Sequence, residues 1–377
     1  MSAAPVSPQR SASAVPFYDI GLLFPVLFLV GIGIVMVYSA SSAMAIKRFG
    51  SDYYFLKKQA MFSLAGVVAL VACRHIPYRL YRPLSYPLLL VALCLLLAVP
   101  LTGLGVSVGG AARWLRIGPF SLQPAEAARV AMVIYLSYSM SKKIDRLDEF
   151  TIGFVPHVIV LGIFTAVISA QPDFGAIVIL AALTYIMLFI GGVRTWHLIA
   201  SLLLLAPMAY LYMISAAYRI SRLVSFLNPW DYATKEGYQT VHSLMAFGSG
   251  GLWGTGIGKG VQKLFYLPEP HTDFIFSVIG EELGLVGVMI ILILYGLIIW
   301  RGLHIASTAR DHFGSFLASG LTIGLALQIC VNIGVTMGLL PTKGLTLPFL
   351  SYGGTSLVVS MACIGILLNI GAGRQKA

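Results

Sequence analysis

The sequence predicts an all-α polytopic membrane protein with about ten transmembrane helices and one long extracytoplasmic loop between helices 7 and 8. Two observations lead to this fold class. Hydrophobic residues make up 58% of the 377 residues and charged residues only 10%, whereas a soluble protein carries about 25% charged residues. Apolar runs close to the roughly 20 residues that cross a bilayer also recur along the chain. A soluble fold is therefore excluded, and no nucleic-acid partner is expected.

Ten apolar runs are candidate transmembrane helices. They lie near residues 19–40, 59–76, 84–103, 123–141, 153–170, 174–192, 195–214, 273–299, 314–338 and 347–370. The second run is short, and the fourth carries Glu126 and Arg129. An even number of spans places both termini on the same side of the membrane.

The ends of the chain indicate how the protein is oriented. Residues 1–18 are small and polar, so we expect a disordered cytoplasmic tail and no cleaved signal peptide. Residues 19–372 then form a single transmembrane domain, and residues 373–377 form a second cytoplasmic tail. The positive-inside rule gives twelve lysines and arginines on each side, but leaving out the long loop gives twelve against seven. This difference favours cytoplasmic termini.

The outer face carries an unusual number of cations and one long loop. An anionic partner explains the cations most simply, although attraction to lipid headgroups is the better explanation for Lys47, Arg48, Lys57 and Lys58. The loop, residues 215–272, is rich in aromatic residues, which argues against disorder, so we expect it to fold back onto the membrane surface. No 20–50-residue repeat or inverted half is visible, which disfavours a standard transporter.

The stretch "YLPEPHTDFIFSVIGEELG", residues 266–284, keeps three carboxylates beside an apolar run. Asp273 stands where the run begins, and an N-cap and a functional carboxylate explain it equally well. For Glu282 the pattern favours a structural hydrogen bond or ion pair. Glu281 lies eight residues after Asp273, about 12 Å deeper in a helix, and either a structural or a functional role fits it.

Further charged residues stand near membrane depth in two other stretches. Glu126 and Arg129 stand at positions i and i+3 on one helix face and can form an ion pair. Such a pair is slightly more often structural than functional. Arg113 flanks Trp114 at the outer interface, where it can bind phosphate or anchor the chain. Lys343 lies in the proline- and glycine-rich break "LLPTKGLTLPFLSYGGTS", and irregular backbone of this kind lines cavities. Asp173, between proline and a Phe-Gly pair, is typical of a turn.

Four long motifs resemble the SEDS family of peptidoglycan glycosyltransferases. They are "YLPEPHTDFIFSVIGEELG", "GPFSLQPAEAARVAMV", "NPW…GYQ…S…AFGSGGLWGTGIGKGVQKL" and "LPTKGLTLPFLSYGGTS". The resemblance extends from about residue 19 to residue 372. Within the family, the motifs are more similar to the FtsW and SpoVE branch than to RodA, which favours septal synthesis in cell division over the elongation role in cell shape.

The resemblance implies a set of site residues. The essential aspartate of the family corresponds to Asp273, its P-T-K-G lysine to Lys343 and its loop arginine to Arg113. The pattern Q-P-[SA]-E-x-x-K corresponds to Gln123 through Arg129, so Gln123, Glu126 and Arg129 join the substrate-binding set, which His271 completes. Arginine replaces the lysine of this pattern at position 129, and this change keeps the charge but leaves a proton-transfer role there in doubt.

The resemblance also implies the reaction. Such enzymes polymerise lipid II, the undecaprenyl-pyrophosphate-linked disaccharide-pentapeptide, on the outer face of the bacterial cytoplasmic (inner) membrane. Inverting displacement of the pyrophosphate requires a carboxylate base, here Asp273, and cations on the leaving group, here Arg113 and Lys343. No metal-ligand spacing is present, and no cofactor is assigned, although a divalent cation (magnesium or manganese) would suit the leaving group.

The implied partner is a class B penicillin-binding protein, a transpeptidase, with other divisome or elongasome membrane proteins around it. Two functions of other classes remain as alternatives. A lipid II flippase would need polar sites near both membrane faces, whereas the unusual residues here crowd the outer side. A scaffold that only recruits a transpeptidase would not need acidic residues at membrane depth.

Overall fold

The computed structural model describes residues 19–103, 105–108, 111–118, 120–214, 217–264 and 266–373. The tail expected at residues 1–18, and residues 374–377 of the second tail, lie outside these ranges. Helices dominate the described chain. They are α1 (Ile20–Phe49), α2 (Tyr54–His75), α3 (Tyr81–Leu101), α4 (Pro124–Lys142), α5 (Val155–Ser169), α6 (Phe174–Ile190), α7 (Thr195–Ile214), α8 (Ala217–Leu227), α9 (Tyr238–Gly250), α10 (Ile275–Ser307), α11 (His312–Thr336) and α12 (Gly354–Gly373).

The protein is a polytopic helical membrane protein, as the sequence predicts. Among the described residues, seven helical segments are long and apolar enough to cross a membrane, and α6 and the first part of α7 are shorter apolar helices. The remaining predicted span is α4, whose charged residues Glu126 and Arg129 are buried inside the protein. The count of ten spans therefore stays a prediction.

Packing places α4, α11 and α12 in the interior of the bundle. α12 packs along α2, α11 packs against α10 and α4, and α10 also packs against α1 and α9. At one end of the bundle, Arg301 near the end of α10 forms an ion pair of 2.6 Å with Asp19, the N-cap of α1. This ion pair fixes the two longest helices side by side.

A small antiparallel sheet, which the sequence analysis did not predict, precedes α4. Its strands are β1 (Gly105–Val108), β2 (Ala111–Ile117) and β3 (Phe120–Leu122), in the order β1-β2-β3. Leu115 of β2 faces Gly105 of β1 and Leu122 of β3. Strand β2 carries Arg113, one of the residues predicted for the site.

Two features of the predicted spans differ from the structure. The eighth span is not one regular helix, because Gly284 has a φ of 65° and a ψ of −165° inside α10. The residues before and after Gly284 therefore do not share one continuous helical projection. The tenth span begins at Gly354 and not at residue 347, because residues 348–352 form turns.

Candidate active site

Asp273 lies in the turn just before α10, so it is not the N-cap that one interpretation of the sequence offered. Phe274 occupies the N-cap position, and no side chain caps this helix end. Asn332 of α11 donates a hydrogen bond of 3.0 Å to the backbone oxygen of Asp273. The backbone is thus fixed by a neighbouring helix, and the carboxylate is not used as a cap.

The surroundings of Asp273 make its carboxyl group more basic than an ordinary aspartate. Its side chain keeps some exposed surface, but the protein packed around it removes most of the stabilising water. Desolvation, followed by the nearby negative charge of Glu269, raises the pKa of Asp273 to about 7, although the positive charge of Arg113 opposes this rise. A carboxylate with a pKa near 7 is suited to accept a proton at neutral pH.

Arg113 and Asp273 both come close to the exposed Gly344, and we call the space beside this glycine the gap. A Cβ atom added at Gly344 would lie 3.2 Å from Asp273 Oδ2 and 3.9 Å from Arg113 Nη1. Arg113 is fixed from behind, because it donates a 2.7 Å hydrogen bond to the carbonyl oxygen of Pro172 and its Nε lies 3.9 Å from Asp173 Oδ2. The structure therefore brings a carboxylate with a raised pKa and a guanidinium close to the same glycine.

Lys343 stands next to this gap, in the same irregular segment as Gly344. Its ammonium lies 4.2 Å from the centre of the Phe174 ring, within the range of a cation–π contact. Phe174 begins α6, directly after Asp173, whose carboxylate accepts a hydrogen bond of 3.2 Å from the backbone of Ala176. Asp173 is thus the N-cap of α6, directly after a turn at residues 170–172, whereas the sequence indicates a turn residue. The N-terminal end of α6 contacts both cations.

Glu126 and Arg129 form the predicted ion pair below this gap. Arg129 Nη2 lies 2.8 Å from Glu126 Oε2, and both side chains are buried. Arg129 also donates to Gln328 Oε1, and Gln328 Nε2 lies 3.3 Å from Glu126 Oε1. The same amide lies 3.2 Å from the backbone oxygen of Thr346, so the network supports the segment that carries Gly344 and Lys343.

Gln328 and Asn332 are site residues that the sequence analysis missed. They stand one helical turn apart on α11, and Asn332 links the backbone oxygens of Asp273 and Leu345 with hydrogen bonds of 3.0 Å and 2.5 Å. The sequence does contain a sign of them, since two amide side chains stand four residues apart in an apolar span. Buried amides require hydrogen-bond partners, so this pair indicates a polar site.

The remaining predicted binding residues lie in different places. Gln123 precedes α4 and lines a cavity of about 20 Å³, which is large enough for about one water molecule. Other residues lining this cavity are Ala125, Glu126, Arg129, Ile168, Ala176, Ile179, Leu180 and Leu345. His271 is instead buried against Phe55 and Tyr352, with ring-centre distances of 4.4 Å and 5.5 Å. Burial, with a smaller contribution from Arg48, lowers the pKa of His271 to about 4, so this histidine is neutral at physiological pH.

Glu281 and Glu282 lie away from the site, and both are buried and hydrogen-bonded. Glu281 accepts hydrogen bonds from the backbone of Val261 (2.7 Å) and Gln262 (3.2 Å). Glu282 lies 2.5 Å from Lys263 Nζ and 2.8 Å from Ser39 Oγ. The predicted structural role of Glu282 agrees with this geometry, although its cation comes from a loop and not from a helix.

The described residues do not form a metal site. Within the described ranges, no group of three or more histidines, cysteines, aspartates or glutamates is placed to bind a metal ion. Residues that would bind magnesium or manganese are therefore not assigned. Arg113 and Lys343 are the cations beside the gap that could balance the charge of a leaving group.

Substitution of Gly344 should test the gap without removing any charged group. We expect Gly344→Ala to lower the rate at least about tenfold, because its methyl group would enter the space between Asp273 and Arg113, and small displacements at reacting groups are costly. Rates of the glycan synthesis that the motif resemblance implies, measured with the purified protein, give the effect. Gly162→Ala, where an added Cβ meets no atom within 4 Å, is the control, and equal rates in the two variants would contradict the assignment.

Comparison with known proteins identifies relatives of this chain. A family model described as "Cell cycle protein", for FtsW, RodA and SpoVE, matches residues 21–376. A probable peptidoglycan glycosyltransferase FtsW from Trichlorobacter lovleyi is 48% identical over 360 residues, with 96% of this chain and 94% of the relative covered.

Solved structures agree with the sequence comparison. One solved chain comes from a study of the structural coordination of polymerization and crosslinking by a peptidoglycan synthase complex. It matches this chain with a TM-score of 0.80 and 27% identity, and the match covers 96% of this chain and 99% of the other. The rod-shape-determining protein RodA of Thermus thermophilus matches with a TM-score of 0.70 and 28% identity, covering 95% and 97% of the two chains. The resemblance inferred from the motifs is confirmed, and this chain belongs to the FtsW/RodA/SpoVE family.

Proposed function

We propose that the protein is a peptidoglycan glycosyltransferase that polymerises lipid II into glycan strands. One observation carries this proposal: the carboxylate of Asp273, with its raised pKa, and the guanidinium of Arg113 both lie next to the gap at Gly344. Polymerisation of a sugar pyrophosphate needs both a proton acceptor and a cation for the leaving group. The family to which the chain belongs, and the names of its relatives, support the same reaction.

In this proposal, the residues of the gap divide the reaction between them. The 4-hydroxyl oxygen of the acceptor sugar attacks the anomeric carbon of the donor, and its proton passes to the Asp273 carboxylate. The bond between the anomeric carbon and the pyrophosphate oxygen breaks, and the electron pair leaves with undecaprenyl pyrophosphate. Arg113 and Lys343 stabilise that negative charge. Because attack and departure occur on opposite faces of the carbon, the α-linked donor gives a β-linked product.

Glu126, Arg129 and Gln328 have a supporting role in this mechanism. Their network fixes the backbone at Thr346, two residues after Gly344, from below. Arg129 is paired with Glu126 and lies below the gap, so we assign it no proton transfer. Gln123 lines the small cavity beside Glu126 and Arg129. His271, which is neutral and buried, positions the turn that leads to Asp273.

The cellular setting follows from the same family membership. We propose that the termini are cytoplasmic, that residues 215–272 are extracytoplasmic, and that the site acts at the outer face of the bacterial inner membrane. The sequence similarity to FtsW and to stage V sporulation protein E, 40% identical in Bacillus subtilis, favours septal synthesis over elongation. The structural match to one chain of a synthase complex supports a class B penicillin-binding protein as partner.

Synthesis from labelled lipid II tests the proposed function. The purified protein, with its cognate transpeptidase, should convert lipid II in detergent into glycan strands that can be separated by size. A flippase would translocate lipid II in vesicles without forming strands, and a scaffold would do neither. The absence of strands from a folded, partner-bound protein would contradict the proposal.

The pH dependence tests the role of Asp273 separately. The fraction of Asp273 in its base form falls about tenfold per pH unit well below its pKa of about 7, so the rate at low substrate concentration should fall in the same way. Arg113 lowers the pKa of Asp273 by stabilising its charged form. In Arg113→Gln the decrease in rate at acidic pH should therefore begin at a higher pH. If that decrease began at the same pH in the variant, the electrostatic coupling between the two residues would be contradicted.

A further inference from the structure

Residues 238–264, within the long loop, form a hairpin that packs along α10. Helix α9 is the descending arm: Ser243 Oγ lies 2.5 Å from Ser277 Oγ, and the Phe247 and Phe276 rings lie 5.7 Å apart. The returning arm, residues 259–264, is joined to α9 by a 2.8 Å hydrogen bond between His242 and Gln262. The tip between the arms, residues 251–258, lies beside the break in α10 at Gly284.

The tip is built into the hydrogen-bond ladder of α10. At the break, the backbone nitrogens of Leu285 and Val286 donate to the oxygens of Gly251 and Leu252, at 2.9 Å and 3.2 Å. The oxygens of Glu281 and Glu282 instead accept from the nitrogens of Thr255 and Gly256, at 2.9 Å and 3.0 Å. The loop thus supplies partners for the backbone groups that the break leaves without helical bonds, which non-helical backbone at membrane depth requires.

Charged side chains lock the returning arm to the same place. Lys263 Nζ lies 2.5 Å from Glu282 Oε1 and 2.8 Å from Ser39 Oγ of α1, and Lys263 and Glu282 are both buried. Glu282 also accepts a 3.0 Å hydrogen bond from the backbone of Gly258. The lock, defined as Lys263, Glu282 and Ser39, connects the tip to two spanning helices.

The position of the lock along these helices gives its depth. Ser39 follows Asp19 by about 20 residues along α1, which corresponds to about 30 Å at 1.5 Å per residue, and Glu282 is hydrogen-bonded to Ser39. The Arg301–Asp19 ion pair marks one polar boundary, and a hydrocarbon core is about 30 Å thick. The lock therefore lies at the opposite boundary, and Asp273 lies beyond it, on the polar side.

The exposed surface of the tip suits that boundary. Trp253 is 80% exposed and Leu252 62% exposed, and the backbone oxygen of Leu252 accepts a hydrogen bond from the backbone of Val286, an exposed residue of α10. The apolar surface of the tip is therefore continuous with the lipid-facing side of a spanning helix. Lys259, also exposed, has a side chain long enough to reach lipid phosphates from there.

We propose that the hairpin is a membrane anchor whose apolar surface, formed by Leu252, Trp253, Ile257, Val261 and Leu264, inserts among the acyl chains of the leaflet on the Asp273 side. Tryptophan is favoured at such interfaces, where its ring meets both apolar and polar groups. The anchor fixes the height of the turn before α10 above the lipid. It requires no assumption about the reaction that Asp273 performs.

Tryptophan fluorescence in lipid nanodiscs tests the insertion. The full chain is compared with Trp253→Phe in lipids brominated near the headgroup or near the chain end, and with iodide in the aqueous phase. Since Trp253 is one of five tryptophans, quenching by the shallow bromine should fall by about one fifth or more in the variant. Equal quenching of both proteins by lipid would overturn the proposal. A Trp253 signal quenched by iodide, or by neither agent because protein covers it, would also overturn it.

Hydrogen exchange tests the lock. Lys263→Met should raise amide exchange in residues 251–264 about tenfold, whereas Lys259→Met should not, because Lys259 is outside the lock. If Lys263→Met fails to fold with Glu282 unpaired, the double variant Lys263→Met/Glu282→Leu removes both charges and should show the same rise. Unchanged exchange in the folded single or double variant would contradict the lock.

Discussion

Asp273→Asn should reduce glycan synthesis by about 10²–10⁴-fold, the range that a positioned general base contributes. Asparagine has nearly the same size, but its amide cannot accept the proton of the acceptor hydroxyl. The backbone should remain in place, because Asn332 bonds the backbone oxygen of Asp273 and not its carboxylate. The rate of strand formation from labelled lipid II, measured with the partner present, checks this result.

Glu269→Gln is the matched control for this loss. Glu269 is half-exposed and lies 3.6 Å from Arg48, and its negative charge contributes to the raised pKa of Asp273. Glu269→Gln should keep strand synthesis, and the decrease in its rate at acidic pH should begin at a lower pH than in the unmodified protein. If Asp273→Asn polymerised lipid II at a rate close to that of the unmodified protein, Asp273 would not be the base.

Stability measurements separate the chemical role of Asp273 from a structural one. Desolvation disfavours the charged carboxylate, so its removal should leave the thermal midpoint unchanged or slightly raised. A folded but inactive Asp273→Asn protein would support the assignment. An inactive protein that also unfolds at a much lower temperature would instead indicate a structural role.

The sequence predicted the parts of the fold that depend on local composition. Spans such as α1 and α11 follow from apolar runs, because in lipid a chain segment must satisfy its backbone hydrogen bonds internally. The Glu126–Arg129 ion pair also followed from spacing on one helix. The sheet was not predicted because the alanines and arginines of β2 obscure an alternating apolar pattern.

Contacts between distant segments could not be predicted in the same way. The break in α10 depends on partners some 30 residues earlier in the chain, at Gly251 and Leu252, and a regular helical projection from Asp273 contains no sign of them. The pairing of Lys263 with Glu282 likewise depends on how the hairpin packs along α10, which spacing within one helix does not predict. The choice between an N-cap and a free carboxylate at Asp273 was open for the same reason, because it depends on where α10 begins.

Arg129→Leu should destabilise the protein severely, because it leaves the buried carboxylate of Glu126 without its cation. Removing one partner of a buried ion pair costs about 3–5 kcal/mol, whereas replacing both by apolar residues is often neutral. The double variant Glu126→Leu/Arg129→Leu should therefore recover most of the thermal midpoint, measured by loss of monodisperse protein on heating. Arg129→Lys should keep the ion pair but lose the bond to Gln328, giving a small decrease. If the double variant recovers its thermal midpoint but not its glycan synthesis, the network positions Thr346 and Gly344. If the double variant is as unstable as Arg129→Leu, the explanation by an unpaired buried charge is wrong.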